Sequence, residues 1–600
     1  MKTKHFKTCF RFLLCWIILT LVGCGGSDRQ SETAGGSYNT VSNSQPDIIL
    51  ISIDTLRADH LGCYGHSGSS TPNIDQFAQN GALFQQAFTT IPVTLPAHSS
   101  MLTGQIPPVH GVRDNGGDQL SDSAKTLAEA LKSSGYQTGA FIAAEPLKHD
   151  RGLNQGFDVY DDLETKPNSG ARFSQRPDRP AEQVAASFAG WAHRCEKDKP
   201  MFAFVHLFDP HWPYEKSLPG DEKPSYLGEI SHVDQVLGQL FRALDVERNP
   251  ANRIVVITSD HGEGLGEHNE KTHCIFVYDS TLRVPLIIQG SNITPIVVKQ
   301  PVGIIDIAPT ILELAKIDEL PDADGISLVA AMESGTAEIR DLYFESRYGE
   351  FRFGWAPLKG VRRDNMKFIS APKPEVYDLG NDPGETTNLW QDKKELAGQL
   401  ADVLTTIGDG LRTRTELSDE TVRKLANLGY VSAKVTDDTT GPRPDPKDRI
   451  EVYDNFQSAY QKYLAGAKNE ALTIMDGLEP LMSNSPQFYF EWAFFQAEVE
   501  KWADAEKSYR RCLELEPDYP KTRQNLVSTM IKLKKFKEAE SELELLLARE
   551  PDNGIAYLYA GFCANKQGET KKAVIHWRRF IELAPNHPDA QKIAAAINGN

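Results

Sequence analysis

Three short apolar runs constrain the chain most. Ile48 to Ile53, Met201 to Phe208 and Arg253 to Thr258 each lead into an aspartate: Asp54, Asp209 and Asp260. A strand with one wet face alternates apolar and polar residues. A run without alternation suits a strand covered on both faces, as in a mainly parallel sheet flanked by helices. Helical stretches fall between the runs, at 124–134 and 231–244 among others. Residues 46–433 are therefore expected to form an α/β domain with a doubly wound sheet. Ligands of such sheets bind beyond the carboxyl ends of the strands. One Asp at such an end is often only a helix cap. Three brought together repel one another unless a cation joins them, which points to a divalent metal.

The 600 residues leave room for a second domain. Ala471, Ala505, Ala539 and Ala573 recur every 34 residues, as do Pro517, Pro551 and Pro585. Ala560-Gly561 stands twelve residues before Ala573, where a small pair lets two helices cross closely. The pattern over 451–600 resembles the tetratricopeptide repeat. It implies four antiparallel helix pairs stacked into an all-α solenoid, whose concave face suits a peptide or protein partner. Residues 434–450, rich in Pro, Asp and Thr, read as a linker.

At the other end, Lys2, Lys4, Lys7 and Arg11 precede an apolar run, Phe12 to Val22, that is short for a membrane span. It closes on Leu21-Val22-Gly23-Cys24, which resembles the bacterial lipoprotein box. That resemblance implies a signal peptide over 1–24, lipidation of Cys24 and export to a membrane surface. No Asp follows Cys24, which in a Gram-negative cell favours the outer membrane. Residues 25–45 have the Ser, Gly and Asn content of a flexible tether. The cysteines past residue 24 (63, 195, 274, 512 and 563) form no C-x-x-C, so a disulfide framework or zinc–thiolate site is not expected. A net charge of −18 argues against nucleic acid as a partner.

The motifs around the aspartates carry a second resemblance. Ile51-Ser52-Ile53-Asp54-Thr55-Leu56-Arg57-Ala58-Asp59 and Thr258-Ser259-Asp260-His261-Gly262-Glu263 are similar to the two metal motifs of the sulfatase and alkaline phosphatase superfamily. Val205-His206-Leu207-Phe208-Asp209-Pro210-His211, Tyr278 to Pro285 and Tyr377 to Glu385 follow in the sulfatase order. Thr94-Leu95-Pro96-Ala97-His98 through Gly104 has the outline of the sulfatase signature, Cys-x-Pro-Ser-Arg and a later Gly. In sulfatases the leading Cys or Ser becomes formylglycine. Thr94 cannot, so no formylglycine is expected.

The resemblance implies an alkaline-phosphatase-like fold over 46–433. It also implies one divalent ion (Mn, Zn or Ca) held by Asp54, Asp260, His261 and the Thr94 hydroxyl. Thr55 stands where many sulfatases have a second Asp, so one acidic ligand is missing; Asp59 reads as a helix or loop residue rather than a ligand. A metal-bound hydroxyl is a stronger nucleophile, which gives Thr94 the attack on sulfur or phosphorus. A helix starting after Pro96 would aim its amides at the attacked group. His98 replaces the signature Arg and either donates one hydrogen bond or packs. His206, His211, Lys271 and His273 are candidates for holding substrate oxygens and protonating the leaving group, and Asn115 lines the pocket or makes a turn. An alternative places Asp209, His211 and His273 around a second zinc. The expected activity is hydrolysis of a small-molecule, glycan-linked or lipid-linked sulfate or phosphate ester. A phosphoryl transferase and an inert scaffold are the rivals.

Overall fold

The computed structural model describes residues 45–68, 70–162, 179–413, 442–518, 521–585 and 587–598. Cys24, nearly all of the tether and the first half of the expected linker lie outside them.

The first sheet comprises β1 (Asp47–Ile53), β2 (Ala82–Phe88), β3 (Gln137–Phe141), β4 (Val159–Asp161), β5 (Met201–Leu207), β6 (Arg253–Thr258), β7 (Arg283–Gly290), β8 (Ile296–Val298) and β9 (Val302–Gly303). Their order is β4-β3-β5-β1-β6-β7-β2-β8, with β9 also paired to β2. β7 is antiparallel to β6 and β2; the other pairs are parallel. The three apolar runs are β1, β5 and β6, side by side at the centre. Every residue of β1 and β5 is buried. Alternate side chains feed two cores: Ile48, Leu50, Phe202 and Phe204 enter one, Ile49, Ile51, Ala203 and Val205 the other. Full burial of one such Ile or Phe stabilises the fold by roughly 1.5–3 kcal/mol.

The expected helix at 124–134 is Leu127–Ser133, opened by a capping box between Thr126 and Glu129. The one at 231–244 is longer, Tyr226–Glu247, with Ser225 as its cap. A second, antiparallel sheet was not foreseen: β10 (Asp341–Ser346), β11 (Leu358–Arg363), β12 (Met366–Ser370) and β13 (Glu375–Asp378), in that order. Buried charges disguise its strands. Arg362 pairs with Asp279, and Lys367 with Asp279 and Glu385, so cations occupy positions that a core pattern would fill with apolar residues.

Four helix pairs follow: Ile450–Leu464 with Lys468–Leu478, Pro486–Glu498 with Trp502–Leu515, Thr522–Lys532 with Phe536–Arg549, and Gly554–Lys566 with Thr570–Leu583. Ala471, Ala505, Ala539 and Ala573 each sit early in a second helix with no exposed surface. Residues 442–449 are strapped to the preceding α/β domain. Ala356 N donates to Pro444 O at 2.9 Å, and Lys447 pairs with Glu375 at 2.6 Å. Gly561 faces Trp577: a Cβ there would lie 2.3 Å from the indole. Gly561→Ala is expected to spread the fourth helix pair and cost about 1–3 kcal/mol, read from urea denaturation followed by far-UV circular dichroism.

Candidate active site and metal centre

β1 lies between β5 and β6, so the ends of these strands share one edge. The Asp54 amide donates to Leu207 O at 2.8 Å, extending the ladder one residue past β1. The Asp54 side chain is wholly buried, and neither carboxylate oxygen has a hydrogen-bond partner among the described residues. His206 Nε2 lies 3.4 Å from Oδ2, and His261 Nε2 lies 4.0 Å from Oδ1. Asp260 Oδ1 accepts from His261 N at 2.8 Å and Thr55 N at 3.3 Å. Its Oδ2 is unbonded, 3.4 Å from His261 Nε2. His261 Nδ1 donates to Gly262 O at 3.0 Å, which leaves the Nε2 lone pair facing the carboxylates.

The charges are unbalanced as they stand. Burial, reinforced by Asp260, pushes Asp54 well above the usual carboxylate range. Against the cost of burial, the imidazoles of His261, His98 and His206 hold Asp260 below it. One atom each from Asp54, Asp260 and His261 lie within 4.8 Å of one another. Two buried carboxylates with free oxygens, beside an imidazole whose other nitrogen is fixed, fit a divalent cation such as Mn²⁺ or Zn²⁺. Thr55, at φ +55°, holds its β-branched side chain in the left-handed region; Tyr226 OH donates to its carbonyl at 2.6 Å.

Thr94 is the first residue of the helix Thr94–Thr103, and its Oγ1 lies 3.5 Å from His261 Nε2. The helix begins three residues earlier than expected, which removes the predicted cradle of amides. The Leu95 amide is taken by Asn115 Oδ1 at 2.8 Å, and Pro96 has none. Asn115 instead supplies a donor of its own: its Nδ2 is buried and has no partner among the described residues. Asn115 also opens the turn at 115–117, so the turn role holds while its side chain faces Thr94.

The remaining candidates divide. His98 Nδ1 donates to Thr94 O, and Ser52 Oγ donates to His98 Nε2, both at 2.8 Å. Both nitrogens are used inside the protein and burial lowers the ring to about 3, so His98 positions Thr94 as a neutral imidazole and does not replace the Arg fork. Lys271 is a correction. It is 71% exposed and pairs with Asp454 of the first repeat helix at 2.9 Å, so the structure does not bring it to the carboxylates. Asp209 Oδ2 accepts from Ala181 N at 2.7 Å, at the start of the helix Ala181–Arg194. It serves there as a helix cap and does not join Asp54 and Asp260. Nor do Asp209, His211 and His273 form one of the three-ligand groups among the described residues.

His211 and His273 do approach the centre. The His273 ring is 4.4 Å from that of His261, and the His211 ring is 5.1 Å from that of His273. Burial holds both well below the ordinary histidine value. Glu263 escaped sequence reasoning, though it ends the second metal motif. It is buried, pushed up to about 8 by desolvation, and lies 3.1 Å from His273 Nδ1. Its adjacency to Asp260-His261 was the available signal. Asp59 lies in the short 3-10 helix Ala58–His60, paired with Arg57, which also donates to Glu263 O at 3.1 Å.

Residues 46–317 match the sulfatase family, residues 266–408 the C-terminal region of N-sulphoglucosamine sulphohydrolase, and residues 497–564 a tetratricopeptide repeat. A delta 4,5-hexuronate-2-O-sulfatase of Bacteroides thetaiotaomicron is 24% identical over 420 residues, covering 59% of this chain and 86% of that protein. A structure described as bound to its substrate D-glucosamine-2-N,6-O-disulfate superposes with a TM-score of 0.53 at 19% identity, covering 61% of this chain and 98% of that one. The phosphonate monoester hydrolase of Agrobacterium radiobacter superposes at 0.50 with 22% identity, covering 60% and 95%. The sulfatase-family match covers residues 46–317, and the curated relative that aligns over 59% of this chain is itself a sulfatase by name.

In chelator-treated protein, Asp54→Asn should stabilise the fold by on the order of 1–3 kcal/mol near neutral pH, because it deletes a buried charge without a partner. A carboxyl whose folded pKa is raised loses its contribution as pH climbs past the unfolded value, about 3.9. The advantage of Asp54→Asn should therefore shrink towards pH 4. The same substitution should abolish retention of divalent metal, read by elemental analysis.

Proposed function

We propose that the sulfatase-family domain hydrolyses sulfate or phosphate esters through Thr94 and one divalent ion. The observation that carries this reading is the buried, unbonded Asp54 carboxylate beside Asp260 Oδ2, His261 Nε2 and the Thr94 hydroxyl. An inert scaffold would leave that charge without compensation. Asp54, Asp260 and His261 would hold the ion, with Thr94 Oγ1 as a fourth ligand. When bound, such an ion lowers the pKa of a hydroxyl and offsets negative charge on the ester.

The chain's own residues account for the other steps. His98 fixes the Thr94 carbonyl and so the start of the nucleophile's helix. Thr94 Oγ1 attacks sulfur or phosphorus, the ester bond to the alcohol breaks, and the proton given up by the Thr94 hydroxyl is relayed through the neutral ring of His211 or His273 to the departing alcohol. Asn115 Nδ2 and His206 donate to the non-bridging oxygens. Water then attacks the same sulfur or phosphorus, which releases sulfate from a sulfate monoester, phosphate from a phosphate monoester, a phosphate monoester from a diester or a phosphonate from its ester, and restores the hydroxyl. No formylglycine takes part.

Charge favours monoanions. Two carboxylates, one dication and neutral imidazoles sum to nearly zero, with no Arg fork to offset a second charge. Sulfate monoesters, phosphodiesters and phosphonate monoesters should turn over faster than dianionic phosphate monoesters. A sulfated sugar is the first natural substrate to try, as the Bacteroides relative is named for a hexuronate sulfate. We further propose export with a lipid on Cys24, and a protein partner on the repeats.

An aryl panel of sulfate, phosphate monoester, phosphate diester and phosphonate ester, each with Mn²⁺, Zn²⁺ and Ca²⁺, tests the reading. Thr94→Ala should lose at least about 10³-fold in kcat. Full activity in Thr94→Ala would exclude the hydroxyl as nucleophile. A Cys24→Ala protein should move from the membrane fraction to the soluble fraction; continued membrane association would argue against the anchor.

A further inference from the structure

The first two helix pairs are bound into the catalytic domain. Tyr453, Phe456, Met475, Phe488 and Phe495 share one continuous core with Phe353, Trp355 and the strand residues Leu50 and Val256. The third pair and part of the fourth, with Ala493, Ala505 and Tyr509 of the second, pack in another core around Leu526, Met530, Leu543 and Cys563.

Two polar links run from these first pairs to loops of the candidate site. The first reaches His273. Tyr453 is 3% exposed; its hydroxyl neighbours the Thr272 side chain and accepts a hydrogen bond from Gln457 Nε2 at 2.8 Å. The next residue, Asp454, pairs with Lys271. Lys271 and Thr272 immediately precede His273, and the loop that holds them has little slack. Gly264 N donates to Thr272 O at 2.6 Å and Gly266 N to Glu270 O at 2.8 Å. A Cβ on Gly264 would fall 2.3 Å from Glu270 O. Glu270 accepts from Ile275 N at 2.8 Å and Phe276 N at 3.2 Å, closing the far side. Movement of Thr272 therefore passes to His273.

The second link reaches Asn115. Ser485 Oγ donates to Arg352 O at 2.9 Å and accepts from Phe488 N at 3.1 Å, capping the helix Pro486–Glu498. Arg352 is wholly buried, and its Nη2 donates to both oxygens of Asp114, at 3.1 and 3.2 Å. Asp114 precedes Asn115, which holds the Leu95 amide beside Thr94.

We propose that the first two helix pairs are a wall of the active site. Tyr453 and Ser485 act as positioning residues, the one on His273 through Thr272 and the other on Asn115 through Arg352 and Asp114. The proposal rests on the hydrolytic reading of the site.

The test uses the full chain with Tyr453→Phe, Ser485→Ala and Ser485→Thr, and with Leu543→Ala in the third pair as a control. Amide hydrogen exchange over residues 262–276 and 110–118 gives a readout independent of activity. Tyr453→Phe should speed exchange in the first segment and Ser485→Ala in the second. With an ester that the wild type cleaves, each should lower kcat by about 10- to 100-fold with little change in KM. Ser485→Thr, which keeps the hydroxyl, should restore both readouts. Thr272→Val combined with Tyr453→Phe should be no worse than either alone. Leu543→Ala should lower thermal stability and leave kcat unchanged. Unchanged exchange in both segments overturns the proposal, as does unchanged kcat in the variants of an active wild type. A kcat loss in Leu543→Ala equal to theirs also overturns it. If the wild type cleaves no ester, the hydrolytic reading fails, and exchange alone decides the wall.

Discussion

The structure is organised around the mutual repulsion of Asp54 and Asp260. Each sits at the end of a strand buried on both faces, where water cannot screen it. The surrounding groups treat the two differently. Asp260 takes amides from Thr55 and His261, whereas Asp54 takes no hydrogen bond among the described residues. An arrangement that stabilises one carboxylate and leaves the other bare is costly for a closed fold. It suits a site that a cation completes. The strained Thr55 fits the same account, because its amide can reach Asp260 only if the chain turns sharply after Asp54.

The repeats depend on the same site from the other side. A solenoid that served only to bind a partner would need no more than a linker to the enzyme. Here the strap at 442–449, the shared aromatic core and the buried Arg352 make the first half of the solenoid continuous with the catalytic domain. A partner seated on the third and fourth pairs would load a core that reaches the enzyme through Ala493, Ala505 and Tyr509 of pair two. Stability and activity should therefore separate along the solenoid, with proximal substitutions affecting both and distal ones affecting stability alone.

Much of this was legible in the sequence because its signals are local. Uninterrupted apolar runs announced β1, β5 and β6. A 34-residue period announced the helix pairs, and motif order announced Asp54, Asp260, His261 and Thr94. What escaped depends on contacts across long separations. The second sheet hides behind Arg362 and Lys367, whose partners Asp279 and Glu385 are distant in the chain. Lys271 lies within two residues of His273, yet Asp454 draws it to the surface. Asp209 ends its run as Asp54 does, but a helix start at Ala181 claims it. Glu263 was in view and had no assigned role until the His273 ring was placed beside it.

Thr94 and His98 are better read as one change than as two. A Cys or Ser that matures to an aldehyde hydrate can shed sulfate by breaking its own C–O bond. A threonine ester has no such route, so its release needs water at sulfur or phosphorus, with the nucleophile held still through both halves of the reaction. A side chain at 98 that gripped the ester would leave when the ester did. His98 instead grips the Thr94 carbonyl and Ser52, contacts that persist whether or not substrate is present. Under the proposed mechanism the anion would be left to the cation and to neutral donors such as Asn115 Nδ2. Having His98 in place of an Arg fork would then weaken ground-state grip on a dianion, while the Thr94 oxygen stays in place as the leaving group when water attacks.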